Sequence, residues 1–380
     1  MSRKIRVGIV FGGRSGEHEV SLRSARSVME AIDKEKYEAV PIGISKQGHW
    51  LVGGDPMRAL ASQVDPRLLK APDGDAETRA VTVLAAEEAA LVPQAASLNE
   101  LDVIFPVLHG PYGEDGTVQG LLELAGIPYV GAGVTGSAVA MDKIIFKDVM
   151  KAHGLPSVPY LCFKRNRWET EPETVLDAIE AGLGYPVFTK PANLGSSVGI
   201  SKCRDRTGLV AGLDEAARFD RKLLVEVAVP HAREIEVSVL GNDDPIASLP
   251  GEVKPKREFY DYVAKYIDEG DAASDLLIPA PLSDELTARV RELAVQTYLV
   301  IDCAGLARVD LLLNGESGEL FVNEVNTLPG FTSISMYPKL WEATGISYSE
   351  LISRLIDLAV ERHLDRRRSQ TSYELDSEDV

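Results

Sequence analysis

Apolar and polar positions follow two rhythms along this chain, and each change of rhythm marks an element. Residues 5–11 (Ile-Arg-Val-Gly-Ile-Val-Phe) form a nearly continuous apolar run that ends in Gly12-Gly13, the pattern of a parallel strand buried on both faces. From Glu19 the spacing becomes helical, carrying Val20, Leu22, Val28 and Met29, and Ala39 to Ile44 returns to a strand. Strand, turn, helix and strand in that order predict the opening of an α/β layer. Residues 54–98 are rich in Ala, Pro, Asp and Glu without a firm period and read as a surface excursion. The α/β rhythm resumes with Leu101 to Leu108, a glycine-rich loop, a helix near Thr117–Ala125 and a strand at Ile127–Val130.

A second unit is predicted from Thr135, read as the N-cap of a helix carrying Met141, Ile144, Ile145 and Val149. Strand-like segments follow at Tyr160–Lys164, Pro186–Lys190, Ser197–Cys203 and Leu223–Val227. A third unit holds Glu234–Leu240, the paired runs 306–313 and 319–325, and a closing helix at Tyr348–His363. The expected fold class is α/β: an N-terminal parallel α/β domain (1–134), then two α+β domains (135–225 and 226–366). The tail at 367–380 is polar and charged, a composition that predicts disorder.

Composition narrows the class without naming a function. The chain has 380 residues, 45% hydrophobic and 26% charged, a globular mix with enough apolar material for more than one core. No apolar run approaches the ~20 residues of a membrane-spanning helix, and the short run after Met1-Ser2-Arg3-Lys4 is unlike a secretory signal. A cytoplasmic protein with no membrane partner is expected. Cys162, Cys203 and Cys303 are scattered without metal-type spacing and read as free thiols. The net charge of −18 argues against a nucleic-acid partner. It does not argue against a nucleotide, which needs only a few local cations.

The sharpest local chemistry is Arg308-Val309-Asp310 followed by Asn323-Glu324-Val325-Asn326, joined by the turn sequence Asn314-Gly315-Glu316-Ser317-Gly318. These runs predict an antiparallel hairpin. Alternation places Arg308, Asp310 and Leu312 on one face, and groups Val322, Glu324 and Asn326. Asp310 then falls across from or diagonal to Glu324, with Cβ atoms about 5–8 Å apart. Two carboxylates and an amide suit Mg²⁺. On the hairpin alone, a metal site and a solvated polar ribbon are equally open.

Other positions carry less by themselves. Lys190 precedes a small-residue loop, Pro191-Ala192-Asn193-Leu194-Gly195-Ser196-Ser197-Val198-Gly199, whose amides could cradle a phosphate. Taken alone, the segment is better read as an ordinary hairpin loop. Lys143 on a helix is commonly a solvated charge. Glu226 and Glu234 could accept from adenine or ribose, and structural salt bridges would look the same. The loops Gly12-Gly13-Arg14-Ser15-Gly16-Glu17 and His109-Gly110-Pro111-Tyr112-Gly113-Glu114 both follow strand ends, where ligands gather in α/β layers. Neither has the G-x-G-x-x-G spacing of a dinucleotide site.

Taken in order, these pieces resemble the D-alanine–D-alanine ligases of the ATP-grasp superfamily. The resemblance rests on Gly12-Gly13 with Glu17 and Glu19-Val20-Ser21-Leu22, His109-Gly110 with Gly113-Glu114-Asp115-Gly116-Thr117, and Met141-Asp142-Lys143. It continues through Lys190-Pro191 and Gly195-Ser196-Ser197-Val198-Gly199, Arg233-Glu234-Ile235-Glu236, and Phe259-Tyr260-Asp261-Tyr262 with Ala264-Lys265-Tyr266. It closes with Arg308-Val309-Asp310, then Asn323-Glu324-Val325-Asn326-Thr327 with Pro329-Gly330-Phe331-Thr332.

The resemblance implies three domains, with ATP sandwiched between the second and third. It implies that Lys143 and Lys190 contact ATP phosphates, that Ser196–Ser197 cover them, that Glu226 and Glu234 hold adenine and ribose, and that Lys265, a further cofactor-binding cation, belongs with Tyr266 to a mobile loop that closes over the site. Asp310, Glu324 and Asn326 would hold two Mg²⁺ ions, for which Mn²⁺ can substitute. Glu17 would take the ammonium of the first D-alanine, with His109 beside it, while Arg308 and the Gly330 N–H stabilise the oxyanion. Ser335 and Met336 would hold the carboxylate of the second D-alanine, and Tyr266, linked to Ser196 and Glu17, would position the nucleophile. The implied reaction is ATP-dependent formation of D-alanyl-D-alanine through a D-alanyl phosphate, for peptidoglycan precursors, in a homodimeric enzyme. The alternatives are another ATP-grasp ligase, including a depsipeptide ligase of the D-alanyl-D-lactate type, and a non-catalytic nucleotide-binding regulator. The complete set of Arg308, Asp310, Glu324 and Asn326 speaks against the last.

Overall fold

The computed structural model describes residues 3–61, 79–81, 101–254 and 275–370. Strands β1 (Ile5–Gly12), β2 (Tyr37–Ile44), β3 (Trp50–Val52), β4 (Arg79–Val81) and β5 (Val103–Val107) form the first sheet, in the order β4-β3-β2-β1-β5. The apolar run of β1 becomes its centre, parallel to β2 and β5 and buried from Val7 to Gly12. That is the environment in which a strand can be apolar on both faces. β3 and β4 extend the sheet antiparallel. The expected strand at Ile127–Val130 is reduced to a single parallel bridge, Tyr129 to Ile104.

The second sheet contains β6 (Tyr160–Lys164), β7 (Val187–Pro191), β8 (Ser201–Cys203) and β9 (Lys222–Val227), in the order β6-β9-β7-β8. All three pairings are antiparallel. Helices Pro172–Gly182 and Arg206–Phe219 cover it through Val175, Ile179, Leu209 and Leu213. β9 runs unbroken to Val227, so the division expected between 225 and 226 falls inside a strand, and Glu226 belongs to this sheet.

The third sheet holds β10 (Ala232–Gly241), β11 (Ile246–Ala247), β12 (Gly251–Lys254), β13 (Asp275–Leu277), β14 (Gly305–Asn314) and β15 (Leu320–Asn326). Its order is β13-β12-β10-β14-β15, with β11 paired to β10. The helix Asp284–Val300 packs Val290, Leu293, Ala294 and Tyr298 against Ile235, Val237, Val309 and Leu311.

Two long-range packings join the units. The single helix expected after Thr135 is two, Val134–Met141 and Lys143–Ala152, because the Asp142 side chain caps the second by accepting from the N–H groups of Ile144 and Ile145, both at 3.2 Å. Gly133, not Thr135, precedes the first helix. Both helices place apolar residues (Ala140, Phe146, Met150) in the core of the third sheet. The closing helix, Tyr348–Arg366, returns to the first sheet: Leu351, Ile352, Leu355 and Ile356 share one core with Val7, Ile9, Phe11 and Phe105. Among the described residues no helix is long and apolar enough to cross a membrane. Most of the 54–98 stretch, and the tail beyond residue 370, lie outside the described residues.

Candidate active site

The hairpin β14–β15 supplies a polar face against an apolar one. Val309, Leu311 and Leu313 are buried in the third core, while Arg308, Asp310 and Leu312 alternate away from it. Asp310 lies directly across from Glu324, and Arg308 across from Asn326. One detail departs from strict alternation. Leu311 pairs with Val322, so Asn323 is an extra residue, a bulge that resets the phase of β15. Val322 therefore sits in the core, and only Glu324 and Asn326 share the face of Asp310. The expected grouping of Val322 with them fails for that reason.

The face is tightly wired. Arg308 donates from Nε and Nη2 to the two oxygens of Asp310, at 2.7 and 2.6 Å, a bidentate charge-assisted pair. Its Nε also lies 3.0 Å from Glu236 Oε2, on the neighbouring β10. Asn326 Nδ2 donates to Asp310 Oδ2 at 3.0 Å. Burial opposes the Arg308 charge, but Asp310, Glu236 and Glu324 more than offset it, so the guanidinium holds its proton more firmly than usual. Among the described residues no three His, Cys, Asp or Glu side chains cluster to hold a metal; the group here is two carboxylates and an amide.

One lysine of the central segment reaches this face, and two others meet at Glu226. Lys143 opens the helix after Asp142, and its Nζ reaches Glu324 Oε2 at 3.3 Å while donating to the Leu194 carbonyl at 2.9 Å. Lys190, next to the last residue of β7, pairs with Glu226 Oε1 on the adjacent β9. Lys147, one turn beyond Lys143, takes the other oxygen of Glu226 at 2.9 Å. Burial alone would push the Glu226 carboxyl up, yet the ammonium groups of Lys147 and Lys190 pull it down to about 2. Burial pushes Lys147 the opposite way from its carboxylate partner and leaves its pKa lowered. The Glu226 carboxylate is thus engaged by two lysines, which leaves it poorly placed for a ribose or adenine.

The loop after Lys190 carries two consecutive non-glycine residues in the left-handed region, Ser196 (φ 53°) and Ser197 (φ 59°), a conformation that costs free energy and clusters at ligand sites. Ser196 Oγ donates to Glu17 Oε1 at 2.5 Å, joining this loop to the start of the helix His18–Ala31. Gly110, in the left-handed region (φ +72°), lets the second polar loop approach: a methyl there would lie 2.8 Å from Glu17 Oε2.

His109 lies beneath. Its Nδ1 is 2.8 Å from the Leu328 carbonyl, which can only accept, so Nδ1 carries the proton. Nε2 faces the Ser24 hydroxyl at 3.4 Å, and Ser24 accepts from the Phe331 N–H. Burial lowers the His109 pKa despite Glu17. Glu114 accepts from the N–H groups of Gly110 (2.7 Å) and Leu328 (3.0 Å), tying the same two loops together.

Gly330 lies in the tied segment, and its Cβ direction meets Ser335 Oγ at 3.2 Å. Ser335 precedes the helix Met336–Thr344, its hydroxyl bonded to the Thr332 N–H and hydroxyl at 3.1 and 2.8 Å. The Met336 side chain is buried with Val253 and Leu340, leaving its backbone N–H at the first turn as the group able to face a ligand. Glu234 lies on β10 between Val253 and Leu312. Lys265 and Tyr266, with the run from Phe259, lie outside the described residues. Two residues that sequence reasoning passed over, Lys147 and Ser24, belong to this network, as does Glu114, which enters there only as part of a loop motif and without a role. For Lys147 a signal existed, its i+4 spacing from Lys143 on one helix face.

Protein-family models described as D-ala D-ala ligase N-terminus and D-ala D-ala ligase C-terminus match residues 6–132 and 149–357. A D-alanine–D-alanine ligase of Heliobacterium modesticaldum is 51% identical over 372 residues, covering 96% of this chain and 97% of that one. One from Natranaerobius thermophilus is 48% identical, with 98% and 99% covered. The structure is similar to that of the D-alanine–D-alanine ligase of Coxiella burnetii (TM-score 0.77, 34% identity, 97% of each chain). It is also similar to the VanG D-Ala:D-Ser ligase of Enterococcus faecalis (TM-score 0.78, 35% identity, 94% of this chain and 100% of that one).

Proposed function

The chain belongs to the D-alanine–D-alanine ligase family, and from that premise we propose that it joins two D-alanine molecules into D-alanyl-D-alanine at the expense of ATP. The observation that carries the reading is the meeting of Lys143 with Glu324, 3.3 Å apart. It brings a cation able to face phosphate, from the helix Lys143–Ala152, to a carboxylate able to face a metal, on β15.

A carboxylate is a poor electrophile, and phosphorylation corrects this. The carboxylate oxygen of the first D-alanine attacks the γ-phosphorus, and the bond to ADP breaks. The amine of the second then attacks the acyl carbon, loses a proton, and phosphate leaves from the tetrahedral intermediate. Lys143 and Lys190 receive the phosphates beneath the Ser196–Ser197 loop, and Lys265 supplies a further positive charge. Such transfers depend on positioned cations. Glu234 faces the ribose. Glu226, held by Lys147 and Lys190, acts through those lysines and leaves only its strand's backbone for adenine.

Glu17 takes the ammonium of the first D-alanine, with His109 beside it. Arg308, steered by Asp310 and Glu236, and the Gly330 N–H stabilise the developing oxyanion. Ser335 and the Met336 N–H hold the second carboxylate. The Tyr266 hydroxyl, acting with Ser196 and Glu17, directs an amine rather than a hydroxyl nucleophile. The oxygen-only donors Asp310, Glu324 and Asn326 fit Mg²⁺: two ions, or Mn²⁺ in their place, would neutralise phosphate charge there. Resemblance to the family is what supports a homodimer and a cytoplasmic setting.

Phosphate release by the purified protein with ATP, Mg²⁺ and a substrate panel tests the reading. Release with D-alanine and not with L-alanine is expected. Faster release when D-lactate or D-serine is the second substrate would replace it with a depsipeptide or D-Ala:D-Ser activity.

A further inference from the structure

Lys143 and Lys147 stand one turn apart on the helix Lys143–Ala152, and both are buried. Lys147 is only 1% exposed, a place from which ammonium groups are excluded unless paired. Its Nζ lies 2.9 Å from Glu226 Oε2, with the Tyr160 ring 5.6 Å away. The other oxygen of Glu226 takes Lys190. One carboxylate therefore serves two lysines, and the enclosed trio carries a net charge of +1.

We propose that Lys147 is a positioning residue for ATP: by occupying Glu226, it leaves the charge of Lys190 available to the phosphates. The proposal rests on the reading of Lys190 as a phosphate-binding group. Without Lys147, Glu226 and Lys190 would form a closed, neutral pair in a poorly solvated site, where opposite charges attract strongly. An arriving polyphosphate would have to draw Lys190 away from a carboxylate that then has no cation in the trio. With Lys147 in place, Glu226 stays compensated when Lys190 turns to phosphate. Packing does not require the charge. A methionine fills similar space, and a buried ion pair is commonly no more stabilising than apolar side chains of the same volume.

Lys147→Met keeps the volume and removes the charge. In the full-length protein, steady-state rates are measured with ATP varied at saturating D-alanine and then the reverse, and binding of the non-hydrolysable analogue AMP-PNP is measured by calorimetry. The KM for ATP and the Kd of the analogue should rise about tenfold, while the KM for D-alanine stays within about twofold. Lys147→Arg should recover most of the loss. In the double variant Lys147→Met/Glu226→Gln, Lys190 has no carboxylate to close upon, and analogue binding should be tighter than in Lys147→Met. Unchanged nucleotide affinity in the folded variant, or a double variant weaker than the single one, overturns the proposal. Should Lys147→Met fail to fold, Lys147→Gln carries the same comparison. Absence of D-alanine-dependent phosphate release in the unsubstituted protein would strike the ligase reading alone, because analogue binding still reports on Lys147.

Discussion

Single residues at this site are governed by what neutralises them. Glu114 is the clearest titrating case: burial, and then the neighbouring Glu17, push its carboxyl up to about 8, against the two backbone N–H groups that favour the anion. The unfolded chain releases this proton near pH 4.3, roughly the ordinary glutamate value. Between there and about 8 the folded state holds a proton that the unfolded state has lost. The stabilising contribution is therefore full below the ordinary carboxylate range and is lost as pH rises through the folded value. Melting temperature should fall between pH 5 and 8 more steeply in the unsubstituted protein than in Glu114→Gln, followed by calorimetry; equal slopes would contradict the assignment. Residue types were legible where a motif gave them context, as at Arg308, Asp310, Glu324 and Asn326. They were illegible where meaning depends on a distant partner. Lys147 reads as a solvated helix lysine until Glu226 is found against it, and Ser24 reads as an ordinary helix residue until His109 and Phe331 meet it.

Elements were legible wherever one rhythm dominated. The hairpin, the central apolar strand and the closing helix follow from periodicity, because burial on one face or two writes itself into the sequence. Local interruptions do not. The bulge at Asn323 leaves no apolar signature, yet it turns Glu324 and Asn326 to the face of Asp310 while Val322 stays in the core. The cap at Asp142 likewise divides one expected helix into two. In the first of these, Gly136 sits where a methyl would lie 2.7 Å from the Asp302 carbonyl oxygen. An alanine normally favours a helix over glycine by up to about 1 kcal/mol, but backbone cannot yield as a flexible side chain does. Gly136→Ala should destabilise the protein by roughly 1–3 kcal/mol through overpacking, read from urea unfolding. A stabilised variant would show that the helix can withdraw from the Asp302 turn.

At the scale of the molecule, a division by chain order fails where contacts run between the ends. The closing helix completes the first core, and the helices at 134–152 pack on the third sheet; neither contact has a local signal, since any apolar face of the right size would fit. Leu355, fully buried in the first core, should cost about 2–5 kcal/mol as Leu355→Ala. The loss should appear in unfolding of the N-terminal strands, followed by hydrogen exchange at β1. Loss confined to the closing helix would contradict a shared core. Glu17 meets Ser196 of the loop after β7, and Lys143 meets Glu324 on the polar face of β14–β15; on that convergence the ligase reading depends. Its most direct test is the rate of D-alanyl-D-alanine formation by Glu324→Gln, measured by mass spectrometry with ATP, Mg²⁺ and D-alanine. A variant that is folded by circular dichroism, with a rate lower by about a hundredfold or more, is expected. A folded variant making the dipeptide at the unsubstituted rate would contradict it.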